Sequence, residues 1–108
     1  PSLKAALIAA DFYQLLDTSD VPGGVINLVT GVPSELATVL AAHDDVAAIW
    51  AVRPADECEQ IKKESAGNLK SVWTSDGKSP DWYDSQAEGS SWLERATQVK
   101  NIWVPYGE

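Results

Sequence analysis

The sequence predicts an α/β fold in which a helix leads into a βαβαβ unit with a parallel sheet, a Rossmann-like half of a doubly wound architecture. Val25–Val29 is a β-branched run bounded by turn residues, and Val46–Val52 is a second apolar run beyond a stretch of helical spacing. Leu69–Thr74 repeats the pattern as a third strand. Because the first two runs are almost continuously apolar, we expect parallel strands covered on both faces.

The predicted helices have recognisable ends. Residues 4–17 carry apolar side chains at helical spacing, which predicts an amphipathic first helix. The second helix is expected to begin with Ser34 as its N-cap and to end at His43. The third is expected to have Pro54 in its first turn, acids early and lysines late as the helix dipole favours, and a stop at Gly67.

The composition changes after the third strand. Ser75–Ser91 is rich in Ser, Asp and Gly, which predicts a long connection. Ala96–Val104 is strand-like again but has no obvious partner among the first three strands. We therefore expect an α/β module over residues 1–80, a connecting loop over 81–95 and a C-terminal strand over 96–108.

Length and charge exclude several classes of protein. From a chain of 108 residues we expect one domain, which is large enough to bury a real core. A net charge of −8 opposes binding to nucleic acid, and no apolar run reaches the length of a membrane span. A single cysteine, Cys58, cannot form an internal disulfide, so we expect a reducing compartment, the cytoplasm.

No single residue is a strong candidate for a catalytic or ligand-binding role. Gly23, Gly24 and Gly31 lack the G-x-G-x-x-G spacing, so turns explain them better than a dinucleotide fingerprint. His43 has no second His or Cys at ligand spacing, and we predict no metal site. Cys58 stands between two glutamates that would oppose a thiolate, so we interpret it as structural.

Tryptophan is unusually frequent near the C-terminus. Four of the five tryptophans lie from Trp73 onward, and Trp82, Trp92 and Trp103 lie where the predicted core is thinnest. Tryptophan is enriched at interface hot spots, which favours an interface role for at least one of them beside the simpler role of covering the sheet.

These motifs together resemble the aldehyde dehydrogenase superfamily, in the family's order and over most of the chain. Val21–Gly31 resembles the family's "VNVVTG" strand, and Leu36–Val46 resembles the helix and "HPDV" turn that follow it. Gly67–Lys70 matches "GNLK" and Gly77–Pro80 matches "GGKSP". Thr97–Lys100 is similar to the C-terminal "YTEVK" strand, and Pro1-Ser2 to the tail of "KPSE". A chain that begins within that last motif is expected to be a piece of a longer protein.

Departures from the family pattern bear on function. Leu3 stands where the resemblance implies a glutamate that holds the ribose of NAD. Arg53 and Pro54 replace the glycine turn beside the cofactor pyrophosphate, and Thr74 replaces the general-base glutamate. The catalytic domain with its nucleophilic cysteine is missing between Pro80 and Thr97. The resemblance therefore implies no catalytic residue and no cofactor for this module.

The truncated pattern resembles the second, non-catalytic module of the two-domain family-16 aldehyde dehydrogenases. That resemblance implies an oligomerisation-type C-terminal strand, with an upstream dehydrogenase module or another subunit as partner, and NAD as the cofactor of the parent enzyme. The interface residues expected in that strand are Val99, Ile102, Trp103 and Val104. Two alternatives stay open, a degenerate domain that still binds NAD and a free-standing regulatory α/β domain.

Overall fold

The computed structural model describes residues 3–107, without the side chain of Leu3. The chain divides into two compact units, Pro1–Lys78 and Ser79–Glu108. The described helices are α1 (Ala6–Asp17), α2 (Pro33–Ala42), α3 (Ala55–Glu64) and α4 (Ser90–Ala96), the strands are β1 (Ala48–Ala51) and β2 (Ser71–Thr74), and short 3-10 turns cover Leu3–Ala5, Ser65–Gly67 and Ser85–Glu88. The predicted α/β class is confirmed.

The two strands pair in parallel, with α3 as the connection between them. Ala48 lies opposite Ser71 and Ala51 opposite Thr74. Trp50 and Trp73 are also opposite one another, and their rings meet edge to face with centroids 6.5 Å apart. An edge-to-face pair of this kind stabilises the pairing of neighbouring strands beyond the area that it buries.

The core of the first unit is small and lies where α2, α3 and the sheet meet. Each of these three elements contributes a buried side chain, and partly buried neighbours pack around them. The buried residues are Ala41, Ala51 and Ile61, and those packed against them are Ala37, Ile49 and Val72. Such a core leaves many apolar side chains of the same unit exposed.

Two helix starts differ from the prediction. α2 begins at Pro33 with Val32 as its N-cap, and no side chain caps it, so the role predicted for Ser34 is wrong. Proline suits the first helical position because its fixed φ is already helical and it has no N–H to satisfy. Pro54 is the N-cap of α3 rather than a residue of its first turn.

The strand predicted at Val25–Val29 is absent from the structure, so the described sheet has two strands rather than three. The N–H of Val25 donates to the carbonyl of Pro22, and the Asn27 amide donates to the carbonyl of Gly24 at 2.9 Å. Gly24 has a φ of +86°, which a tight turn requires. The first bond occupies the Val25 N–H, a backbone group that a strand would use for pairing, and the second ties the Asn27 side chain to the turn.

The connection predicted over residues 81–95 is partly helical. A 3-10 turn and α4 form there. The Asp84 carboxylate caps the 3-10 turn by accepting the Gln86 N–H at 2.8 Å. Trp82 and Trp92 stack with centroids 5.8 Å apart, and the Arg95 guanidinium lies 5.7 Å from the Trp92 ring. Aromatic stacking organises this segment, which has no apolar periodicity to reveal a helix in its sequence.

The C-terminal strand predicted over 96–108 is not formed in the described part of the chain. Ala96 ends α4, and residues 97–107 have no regular secondary structure. A strand requires a neighbour for its backbone groups, and the second unit provides none among its described residues. Pairing of this segment with another module or subunit stays a prediction.

Candidate functional site

The candidate site is the carboxyl end of the sheet, where ligands bind in open α/β folds. β1 leads through Val52–Pro54 into α3, and β2 leads into a turn at Ser75–Lys78. The Ser75 N–H donates to the Ala51 carbonyl at 2.9 Å, and the Gly77 N–H donates to the Arg53 carbonyl at 3.1 Å. Backbone hydrogen bonds therefore join the two connections directly.

Arg53 and Glu57 form a two-point ion pair across the start of α3. Arg53 Nε donates to Glu57 Oε2 at 2.8 Å, and Arg53 Nη2 donates to Oε1 at 2.9 Å. The side chains are 30% and 26% exposed, so the pair is partly shielded from solvent. This planar, bidentate arrangement is the one in which arginine and carboxylate bind best.

Cys58 also contacts the connection between β1 and α3. Its thiol donates to the Arg53 carbonyl at 3.3 Å, and the side chain is completely buried. The Ser75 hydroxyl approaches the same carbonyl oxygen at 3.5 Å. The structure thus places Cys58 inside the unit, in contact with the backbone of the β1–α3 connection.

Gly77 brings the turn after β2 against the first residue of α3. Its φ is +81°, and a Cβ at this position would lie 3.4 Å from the Ala55 nitrogen. The Lys78 N–H closes the turn by donating to the Ser75 carbonyl at 3.0 Å. A close approach of this kind with a positive φ favours glycine.

Thr74, predicted to occupy the position of a general base, instead joins a polar network on the surface. Its hydroxyl donates to Asp76 Oδ1 at 2.6 Å, and Lys62 Nζ donates to the same oxygen at 2.7 Å. Lys62 also reaches Glu59 at 3.2 Å. The bond from Lys62, and then the bond from Thr74, lower the pKa of Asp76, while Asp76 and then Glu59 raise the pKa of Lys62.

The residues present do not fit the pyrophosphate of a dinucleotide. Such a group needs free N–H groups and positive potential at the start of a helix. Asp56 and Glu57 place two carboxylates in the first turn of α3, and the guanidinium of Arg53 is already bound to Glu57. Pro54 has no N–H, and the Gly77 turn lies against Ala55.

Lys70 has a structural role that the sequence analysis did not predict. Its ammonium donates to three carbonyls at the end of α2, those of Leu40 at 3.2 Å, Ala41 at 2.6 Å and His43 at 2.7 Å. α2 has no basic residue in its own last turn. This absence is the signal in the sequence that a lysine from elsewhere in the chain could bind the carbonyls at its end. Asn68 adds a bond to the Asp44 carbonyl at 2.9 Å.

His43 lies exposed at the end of α2. Its Nδ1 accepts the Asp45 N–H at 3.1 Å.

Across the part of the chain that the structure describes, no group of three or more His, Cys, Asp or Glu side chains is arranged to hold a metal ion. Within the same residues, no helix is both long and apolar enough to cross a bilayer.

Apolar groups remain exposed in both units. A groove of about 730 Å³ lies between the Asn27–Val29 segment, α2 and β1, with Trp50 and Leu40 among its lining residues. In the second unit the four residues predicted to form an interface are between 69% and 90% exposed. They are Val99, Ile102, Trp103 and Val104.

Comparison with known proteins identifies the class to which this fold belongs. Residues 1–98 match the model of the aldehyde dehydrogenase family, so the chain belongs to that family of oxidoreductases. Its relatives include a (Z)-2-((N-methylformamido)methylene)-5-hydroxybutyrolactone dehydrogenase of Acinetobacter baylyi, 38% identical over 71 residues, which are 65% of this chain. The NADP/NAD-dependent aldehyde dehydrogenase PuuC of Escherichia coli is 33% identical over 78 residues, or 71% of this chain.

The matched regions are short relative to those enzymes. They cover 14% of the first relative and 16% of the second, so the chain spans less than a fifth of either length. No solved structure matches the chain significantly. Family membership is thereby established for this α/β unit, while the activity of a complete enzyme is a separate question.

Proposed function

We propose that this chain is a non-catalytic structural module that supports the assembly of a larger NAD(P)-dependent aldehyde dehydrogenase. The observation that carries the proposal is the exposure of Val99, Ile102, Trp103 and Val104. Their segment has no strand partner among residues 3–107, which the structure describes. Apolar surface and unpaired backbone groups in one segment are typical of a strand that pairs with another chain or module.

The partner in this proposal is the upstream dehydrogenase module or another subunit. Strand addition derives its affinity from main-chain hydrogen bonds, and side chains such as Trp103 provide the apolar anchor. Trp103 is 90% exposed in the single chain, so an interface has almost the whole side chain available to bury. α1 offers further exposed apolar surface at Leu7, Ile8 and Leu15.

The proposal assigns no catalytic residue and no cofactor to the module, and NAD to the parent enzyme. The hydrogen bond from Thr74 to Asp76 and the ion pair of Arg53 with Glu57 support this assignment, because both side chains already have partners within the chain. The rival function is a degenerate domain that still binds NAD. Calorimetric titration with NAD and NADP separates the two, because micromolar binding would support the rival.

Assembly is tested by removing residues 96–108 and measuring particle mass by light scattering together with the parent module. We expect a smaller particle or a detached module, with the helical circular dichroism of the first unit retained. Trp103→Ala should weaken the assembly by about 2 kcal/mol or more. Leu69→Ala is the matched control, because Leu69 is a fully exposed apolar residue outside the segment.

An unchanged particle mass after deletion would contradict the assembly proposal. If the first unit also melts in that variant, the segment belongs to the chain's own fold.

A further inference from the structure

We propose that Glu57 acts as an internal anion, which binds Arg53 and closes the carboxyl end of the sheet to anionic ligands. The position is one where α/β folds commonly bind phosphates, because the start of a helix meets the ends of parallel strands. Here the chain's own carboxylate binds Arg53, a cation of the β1–α3 connection. The contact is autoinhibitory with respect to ligand binding, and it is independent of assembly through residues 96–108.

The geometry of the ion pair supports this role. Glu57 receives two hydrogen bonds from Arg53, at 2.8 and 2.9 Å, through both of its carboxylate oxygens. A phosphate oxygen would have to displace this carboxylate in order to bind the guanidinium in the same bidentate way. Because the carboxylate belongs to the same chain, four residues from Arg53, a free anion competes with it at a disadvantage.

The backbone around the pair holds the β1–α3 connection in place. The Arg53 carbonyl accepts the Gly77 N–H at 3.1 Å and the Cys58 thiol at 3.3 Å, which fixes the connection on which Arg53 stands. The Gly77 turn lies against Ala55 at the first position of α3. Asp56 adds a second carboxylate to the helix start and raises the electrostatic cost of bringing an anion there.

The test is Glu57→Gln in the full 108-residue chain, with inorganic pyrophosphate as the probe at low ionic strength. The variant removes the carboxylate charge but leaves Arg53 cationic. We expect Glu57→Gln to bind pyrophosphate about tenfold more tightly than the wild type, since the released guanidinium can pair with phosphate. The double variant Arg53→Gln/Glu57→Gln should lose that gain.

Glu59→Gln is the matched control because it makes the same charge change on the same helix. Glu59 pairs with Lys62 at 3.2 Å, and Lys62 keeps its bond to Asp76 in this variant. We expect Glu59→Gln to bind pyrophosphate as weakly as the wild type. Equal affinity of Glu57→Gln and Glu59→Gln would overturn the proposal, because net charge rather than the Arg53 pair would then govern binding.

A measurement on the wild type keeps the test decisive if Glu57→Gln does not fold. We expect the Nε–Hε nuclear magnetic resonance signal of Arg53 to stay in place when pyrophosphate or NAD is added at millimolar concentration. Movement of that signal in the wild type would overturn the proposal, because the guanidinium would then be accessible to phosphate. Neither readout depends on particle mass, so the assembly proposal can fail or stand separately.

Discussion

At the scale of single residues, Lys70 shows how one side chain joins elements that lie far apart in sequence. α2 ends with unsatisfied carbonyls, as every helix does, and it has no basic residue of its own nearby. The Lys70 ammonium, on the residue before β2, donates to the carbonyls of Leu40, Ala41 and His43 at this end of the helix. The Leu40 and His43 carbonyls also accept backbone N–H groups. The order of α2 and the placement of β2 are therefore coupled through one cation.

We expect Lys70→Met to lower the free energy of unfolding by about 1.5–3 kcal/mol, because charged hydrogen bonds to the end of α2 are lost. Urea denaturation followed by circular dichroism measures the change. Lys63→Met, on the exposed last turn of α3, serves as the control and should cost less than about 1 kcal/mol. Equal losses in the two variants would show that Lys70 does not cap α2.

A second residue-scale prediction concerns Gly77. Gly77→Ala should destabilise the first unit by about 1–2 kcal/mol, because its φ of +81° disfavours any residue with a Cβ. Gly67→Ala is the matched control, since a Cβ there meets nothing within 4 Å. Thermal melts of both variants compare the costs, and a neutral Gly77→Ala would show that the turn can relax without strain.

Cys58 provides a third residue-scale prediction. Because the thiol is buried and bonded to the Arg53 carbonyl, a thiol reagent should label it slowly in the folded chain and rapidly after unfolding. Cys58→Ser should keep the fold at a cost of at most about 3 kcal/mol. Rapid labelling of the native chain at neutral pH would contradict this structural role.

At the scale of elements, the exposed network of Lys62, Thr74 and Asp76 connects α3 to the turn after β2. The pKa of Asp76 lies below its ordinary 3.8, chiefly because Lys62 donates to it. Its contribution to stability is present above that ordinary value and is lost as pH falls through the lowered folded pKa. The pKa of Lys62 is raised above 10.5 by Asp76, so its contribution is lost as pH rises through the raised folded pKa.

We therefore expect the wild type to lose more stability than Asp76→Asn in two pH ranges, one acidic and one alkaline. In acid the loss begins below about pH 4 and in alkali above about pH 10. The difference should be small because both groups are exposed and screened by salt. Asp11→Asn on the exposed side of α1 is the control, and parallel pH profiles for wild type and Asp76→Asn would exclude the network as a source of stability.

At the scale of the whole molecule, the division into two units predicts that they differ in their need for a partner. Unit Pro1–Lys78 contains the sheet, three helices and a buried core among its described residues. In unit Ser79–Glu108, the described part has one short helix and a stacked tryptophan pair, with no residue classed as buried. The second unit is thus the part that would gain most from an interface.

A chain shortened to residues 1–78 is expected to retain cooperative unfolding and most of its helical circular dichroism. The physical reason is that its sheet pairing and its contacts between α2, α3 and β1 are all internal. Thermal denaturation of the shortened chain measures this directly. Loss of a cooperative transition would mean that the second unit stabilises the first.

The sequence by itself determined the α/β class, the helices near residues 6–17, 33–42 and 55–64, and the parallel pair at the second and third predicted strands. Each depends on local signals, such as the spacing of apolar residues or the early acids and late lysines of α3, which act within a few residues. The resemblance predicts that Arg53, Pro54 and Thr74 stand at the family's cofactor and general-base positions, and this stays a prediction. The sequence did not indicate what these side chains contact.

Only the tertiary structure decided whether a strand-like run becomes a strand. Val25–Val29 and Ala96–Val104 have strand composition, but a strand exists only when a neighbour pairs with its backbone, and no local pattern specifies that neighbour. Contacts between residues distant in sequence decided the roles of Lys70 and Gly77. The Arg53–Glu57 pair is local in sequence, but the position of the connection that carries Arg53 is fixed by a distant segment. The Gly77 turn follows the carboxyl end of β2, contacts Ala55 and donates to the Arg53 carbonyl.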